Sequence, residues 1–139
     1  MASNCYHSFI YDGLSGAINC TSDTFKAMLC TSAYTPNKDH AKRSDITNEV
    51  AAGNGYATGG VAVACTLSRD TANDKVIATF ANPQWNTATI TARYCIIYKS
   101  RGGNATADEL VQCIDLGGDI SSTAGTFLVN ITQQLQFPV

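Results

Sequence analysis

Ala88 to Ser100 reads ATITARYCIIYKS, the longest run in the chain in which β-branched and aromatic residues alternate with polar ones. In a strand, successive side chains point to opposite faces. Ile90, Ala92, Tyr94, Ile96 and Tyr98 fall on one side, and Thr91, Arg93, Cys95, Ile97 and Lys99 on the other. The pattern predicts a central strand whose first face lies in a core. Its second face is expected to be partly wet and carries a cysteine between an arginine and a lysine.

The rest of the chain sets the frame for that strand. Its 139 residues make one domain, 1–139, large enough to bury its own core. A net charge of -2 with 14% charged residues leaves no basic footprint for nucleic acid. No segment reaches the roughly 20 apolar residues that span a bilayer, so no membrane partner is expected. The start, MASNCYHSFIYDG, lacks a basic region followed by an apolar one, and the chain is expected to be made in a cytoplasm without secretion. Threonine, alanine, glycine and asparagine dominate while lysine and glutamate are scarce, a composition of short strands and tight turns.

Working outward, residues 3–18 fit either a short helix, with Tyr6, Phe9, Ile10 and Leu14 at helical spacing behind a Ser3 or Asn4 cap, or an edge strand. Thr24 to Ser32 reads as a strand with Phe25, Ala27 and Leu29 inward and Lys26, Met28 and Cys30 opposite. Tyr34 to Gly60 is a long polar loop of the kind that usually carries function or an interface, with one helical turn expected around Lys42 to Asn48. Its densest charge cluster is His40, Lys42, Arg43 and Asp45. Val61 to Ser68 reads as one strand with Val61, Val63, Cys65 and Leu67 on a core face. Arg69 to Asp74 forms a hairpin connection, and Lys75 to Ala81 returns antiparallel. Asn82-Pro83 breaks that strand, and Trp85 caps one end of the core. After the polar loop 101–109 come strands Leu110 to Leu116 and Gly125 to Thr132, separated by turns at Gly117-Gly118 and SSTAG, then an extended tail. About six to eight strands at these spacings predict an all-β fold, an antiparallel β-sandwich or jelly roll.

Chemistry is thinly supplied. The chain has no GxSxG elbow, P-loop, dinucleotide fingerprint or HExxH, and the two histidines have no evident nucleophile. No catalytic residue, cofactor or metal site is expected. The six cysteines include no CxxC or CxxH pair, which argues against structural zinc. Cys65 shares its expected face with valines and reads as core. Cys30, Cys95 and Cys113 lie on faces that also carry charged residues, while Cys5 and Cys20 sit near element ends. These five are expected near the surface. Exposed free thiols are a liability in an isolated domain, so they are expected to be covered by partner subunits or to form disulfides between chains.

Several segments together resemble a family of small structural proteins of tailed bacteriophages and prophages. They are YHSFIYD (6–12), Gly16-Ala17-Ile18, SDTFKAMLCTSAYTPNKDHAKRSDITNEV (22–50), GYATGGVAV (55–63), TARYCIIYKSRGG (91–103) and ADELVQCIDLGGD (107–119). The similarity runs nearly end to end, and the cysteines are its chief departure. The resemblance implies a virion component, foremost a capsid decoration or cement protein on the outer surface of the shell. Head-fibre, collar or tail accessory roles are the alternatives. Implied partners are the chain itself, as a trimer or other small homo-oligomer, and the major capsid protein. On this reading Arg93, Ile97 and Lys99, together with His40, Lys42 and Arg43, are the expected subunit contacts, with Cys95 a covalent tie. A glycan- or receptor-binding module would instead need exposed Trp85, Tyr34 or Tyr56. A cysteine enzyme would need an activated thiol near His7 or His40.

Overall fold

In a computed structural model that describes residues 3–131 and 135–138, the chain runs β1 (Ser3–Cys5), α1 (His7–Ser15), β2 (Phe25–Cys30), a 3-10 turn (Arg43–Asp45), β3 (Val61–Val63), β4 (Cys65–Asp70), β5 (Lys75–Phe80), β6 (Gln84–Lys99), β7 (Leu110–Leu128) and β8 (Leu135–Pro138). The strands form two antiparallel sheets, one ordered β1-β7-β6-β2-β3 and the other β4-β5-β8. Ala78, Phe80 and Leu135 of the smaller sheet join Phe25, Leu29, Ile90, Ile97 and Ile114 of the larger in one apolar cluster. The architecture is therefore an all-β sandwich with a short N-terminal helix.

Local chemistry explains most boundaries. The helix of the two N-terminal alternatives forms, preceded by a three-residue edge strand, and Gly16 ends it in the left-handed region at φ 88°. The strand expected over 61–68 is two strands, and only Ala64 separates β3 in the larger sheet from β4 in the smaller. Just before it, Gly60 crosses β2 so closely that a Cβ there would lie 1.8 Å from the Ala27 carbonyl oxygen, an approach only glycine permits. The β4–β5 connection is the expected hairpin, with Asp70 Oδ1 accepting from the Asn73 amide at 3.2 Å. The two strands expected over 110–116 and 125–132 are instead one long strand, β7. Its glycines are absorbed as irregularities rather than turns, with Gly117 at φ 89°. Thr132, within the expected closing strand, lies outside the described residues. The tail forms β8 against β5.

The central strand is present and longer than expected, but its faces are not constant along its length. Two steps of β6, from Ala92 to Tyr94, are matched by five of β7, from Asp115 to Ile120. Across this irregularity the side chains exchange sides. Ala88, Ile90 and Ala92 point into the large core, and beyond the break it is Cys95 and Ile97 that do so. Tyr94, Ile96 and Tyr98 face away, into a second buried cluster with Tyr6, Met28, Cys30, Tyr34, Leu110 and Cys113. A strand's alternation survives only while its register does. From Tyr94 to Tyr98 the strand is thus covered on both faces, by the large core on one and by the cluster with the 31–50 segment on the other, while before the break Thr89 and Thr91 stay exposed.

Candidate functional site

Three places concentrate side chains with chemical or recognition potential. The first is the belt of charges where the 34–50 segment meets the 99–109 loop. Arg43 Nε donates to Asp108 Oδ2 at 2.7 Å and its guanidinium lies 5.2 Å over the Tyr98 ring. The other Asp108 oxygen accepts from the Arg101 amide at 2.9 Å. Arg101 pairs with Glu109 at 2.6 Å, and Lys99 pairs with Asp23 at 2.9 Å while donating to the Ala17 carbonyl at 2.6 Å. Asp108 and Glu109 are buried. A buried carboxylate must keep its partners, because a lost partner leaves an uncompensated charge. The belt is an internal clamp.

That geometry revises the expected subunit contacts. Arg43 and Lys99 are engaged within the chain, and Arg93 pairs with Asp115 at 3.2 Å. Lys42 donates its amide to Asp45 Oδ2 and keeps a half-exposed side chain. His40 hydrogen-bonds Tyr34, and Ile97 is fully buried in the large core. An isolated sequence shows Arg43, Arg93 and Lys99 as free charges because their partners lie far along the chain, 65 residues away for Arg43 and Asp108.

The second place is a hydrogen-bonded chain, Tyr6 Oη to Tyr34 Oη to His40 Nδ1, with both links 3.0 Å. Beside it is a cavity of about 170 Å³ lined by Tyr6, Pro36, Asn37, Lys38 and Cys113. Through Tyr6 and Tyr34 this arrangement brings the Cys113 thiol and His40 toward a common network. Burial pushes Cys113 up to about 12 and Tyr34 up to about 12, and it raises Tyr6 as well. Those groups stay neutral at ordinary pH, and a thiol must ionise to act as a nucleophile. His7 meets Asp39 instead, at 3.1 Å.

The third place is an open apolar cavity of about 610 Å³ between α1, the segment that follows it, and the smaller sheet. Phe9 and Ile18 are buried in its floor, with Phe9 6.1 Å from Phe137 of β8. Leu67 and Val76 line it from β4 and β5, and Ile10 and Leu14 from α1. Leu14 is 87% exposed, and Tyr11 on the same helix is 74% exposed. Helical spacing suggested that Phe9, Ile10 and Leu14 share a buried face, whereas only Phe9 of the helix is buried. Leu67, expected in the core, is exposed because the chain changes sheets at Ala64. The legible signal for this surface was a nine-residue helix with apolar residues on more than one side.

The thiols divide the same way. Cys30, Cys95 and Cys113, expected to reach neighbouring chains, are buried inside this one. A sulfur enclosed by its own chain cannot bond to a neighbour's, so the tie proposed through Cys95 fails on packing. Burial raises all three. Cys5 is half-buried, with its thiol pushed up to about 11 by the same cause. Cys20 and Cys65 are also half-buried, so Cys65, expected to be fully in the core, packs only against its edge. All six are reduced.

Trp85, Tyr34 and Tyr56 are buried and so do not form an exposed aromatic platform. Among the described residues no group of three or more His, Cys, Asp or Glu side chains is placed to hold a metal ion, and no helix is long and apolar enough to cross a membrane. Comparison with family models, with curated protein sequences and with solved structures gives no match.

Proposed function

We propose that this chain is a non-catalytic bacteriophage virion structural protein, a capsid decoration or cement subunit acting on the outer surface of the particle. The resemblance across residues 6–119 supports the virion assignment. The need for a subunit contact is carried by one observation: Ile10, Leu14 and Leu67 stand exposed around an apolar cavity. A contiguous apolar surface of this kind favours burial against another protein. The occupant is a neighbouring copy of this chain in a trimer or other small oligomer, with the major capsid protein beneath it. The contact therefore moves from the charged residues first expected to the α1 end of the sandwich. An interchain disulfide, on this reading, runs through Cys5 or Cys20, the half-buried thiols among those expected to pair between chains.

Light scattering across a concentration series tests the contact. The wild-type chain is expected as an oligomer, and Leu14→Glu as a monomer that keeps its β circular dichroism. A wild-type chain monomeric at every concentration overturns the self-association. Labelling intact particles with an antibody to this chain tests the location, since signal confined to the collar or tail favours the accessory roles over decoration.

A further inference from the structure

We propose that the free edge of β4 pairs with the β4 edge of a second copy, joining the two smaller sheets across a two-fold axis. β4 is an outer strand of the smaller sheet, and each of its six residues pairs with β5 in unbroken register. One hydrogen bond fixes which backbone groups face β5. The Ala81 amide donates to the Ala64 carbonyl at 2.9 Å, and these two residues continue the same register. In an antiparallel ladder, hydrogen-bonded and non-hydrogen-bonded pairs alternate. Thr66, Ser68 and Asp70 therefore bond to β5, while Cys65, Leu67 and Arg69 turn their N–H and C=O groups outward. The same alternation, carried across β5, puts Pro138 opposite Lys75 in a non-hydrogen-bonded pair, where a residue without an N–H fits. Pro138 thereby blunts the β8 edge of this sheet. The β4 edge carries no proline and no bulge, and among the described residues nothing hydrogen-bonds its outward groups.

An uncovered, regular edge adds a further strand through main-chain hydrogen bonds. The sequence of β4 selects a second copy of itself. With Leu67 opposite Leu67 of the partner copy, Cys65 stands opposite Arg69 and Thr66 opposite Ser68. Every outward N–H then meets an outward carbonyl, and no charge faces its like. Slipping one strand by two residues leaves one of the three outward residues unpaired. A register centred on Arg69 sets two guanidinium groups against each other. Leu67 sits at the axis. It shares a face with its cross-strand partner Ala78, which is buried, yet Leu67 is 45% exposed and lines the apolar cavity. Pairing brings the two Leu67 side chains together on one face of a continuous sheet and covers that apolar surface. The proposal rests on the self-association reading above and narrows it to an isologous dimer.

Amide hydrogen exchange read by NMR, on the wild-type chain at high and low concentration, tests the pairing residue by residue. The expected result is a dimer by light scattering in which the Cys65, Leu67 and Arg69 amides are protected and lose that protection on dilution. Thr66 and Ser68 should stay protected throughout, because their partners lie in the same chain. Leu67→Pro should be monomeric and keep its β circular dichroism, since the N–H it removes bonds to nothing within the chain. An oligomer whose Cys65, Leu67 and Arg69 amides exchange as fast as in the monomer overturns the edge pairing and leaves the self-association reading standing. A chain monomeric at every concentration overturns both. Protection unchanged by dilution, or a trimer by mass, also overturns the pairing. The wild-type exchange map decides it even if Leu67→Pro folds poorly.

Discussion

The two faces of the β6 sheet bury their side chains by different means, and the cluster facing the smaller sheet is the larger. Toward the smaller sheet the contacts are almost wholly apolar, with Phe25 and Phe80 edge-to-face at 5.4 Å and Trp85 against Phe127 at 6.1 Å. Toward the 31–50 segment the cluster is built from tyrosines, and their hydroxyls need named acceptors: Tyr98 on the Gly59 carbonyl at 2.6 Å, Tyr6 and Tyr34 on each other. A second sheet brings its own paired backbone to the contact. A loop does not, so its cover must be held by side-chain hydrogen bonds and ion pairs. The lesson is that one face is stabilised by volume and the other by pairing.

Substitutions should separate the two. Ile97→Ala, in the large core, removes three buried carbons from a tightly packed site and is expected to cost about 4 kcal/mol. Urea unfolding followed by tryptophan fluorescence measures it, and a loss under 1 kcal/mol would mean that the site collapses freely. Asp108→Ala, at the clamp, leaves Arg43 without its carboxylate and is expected to cost about 3 kcal/mol. Its distinguishing mark is local: amide exchange should quicken in 34–50 and 101–109 before it quickens in β2. Uniform acceleration would show that the loop cover is not a separate unit.

The smallest effect is the pH dependence of the same clamp. The hydrogen bond from Arg101 holds the Glu109 carboxyl below its ordinary value of 4.5. A depressed carboxylate pKa contributes stability that is complete above the unfolded value and is lost as pH falls through the folded one. Stability should therefore decline below about pH 4.5, and Glu109→Gln should decline less steeply over that window. Equal slopes for the two proteins would assign acid sensitivity to other carboxylates.

How much of this was legible depended on the range of the interaction. The 69–74 hairpin, the stop at Pro83, the inward Phe25, Ala27 and Leu29, and the fold class all follow from neighbours in sequence, and the structure has them. What failed needed knowledge of a partner strand. Nothing within TARYC announces that five steps of β7 will match two of β6, yet that mismatch moves Cys95 and Ile97 from an expected outer face into the core. Arg43 looked like a surface charge because Asp108 is remote. The apolar rim at Leu14 and Leu67 was hidden by a rule that places such residues inside, which holds only where a second layer exists to cover them.

The single residue between β3 and β4 has a mechanical consequence. Ala64 is the only link between a strand laddered to β2 and a strand laddered to β5, and its carbonyl is held by the Ala81 amide at 2.9 Å. With no slack at that corner, the sheets cannot slide past each other without breaking hydrogen bonds in both. A load applied to the smaller sheet is passed directly as shear to β2 and from there to β6. Under tension the sandwich should respond as one stiff body, and its first yielding element should be the three-residue ladder of β3.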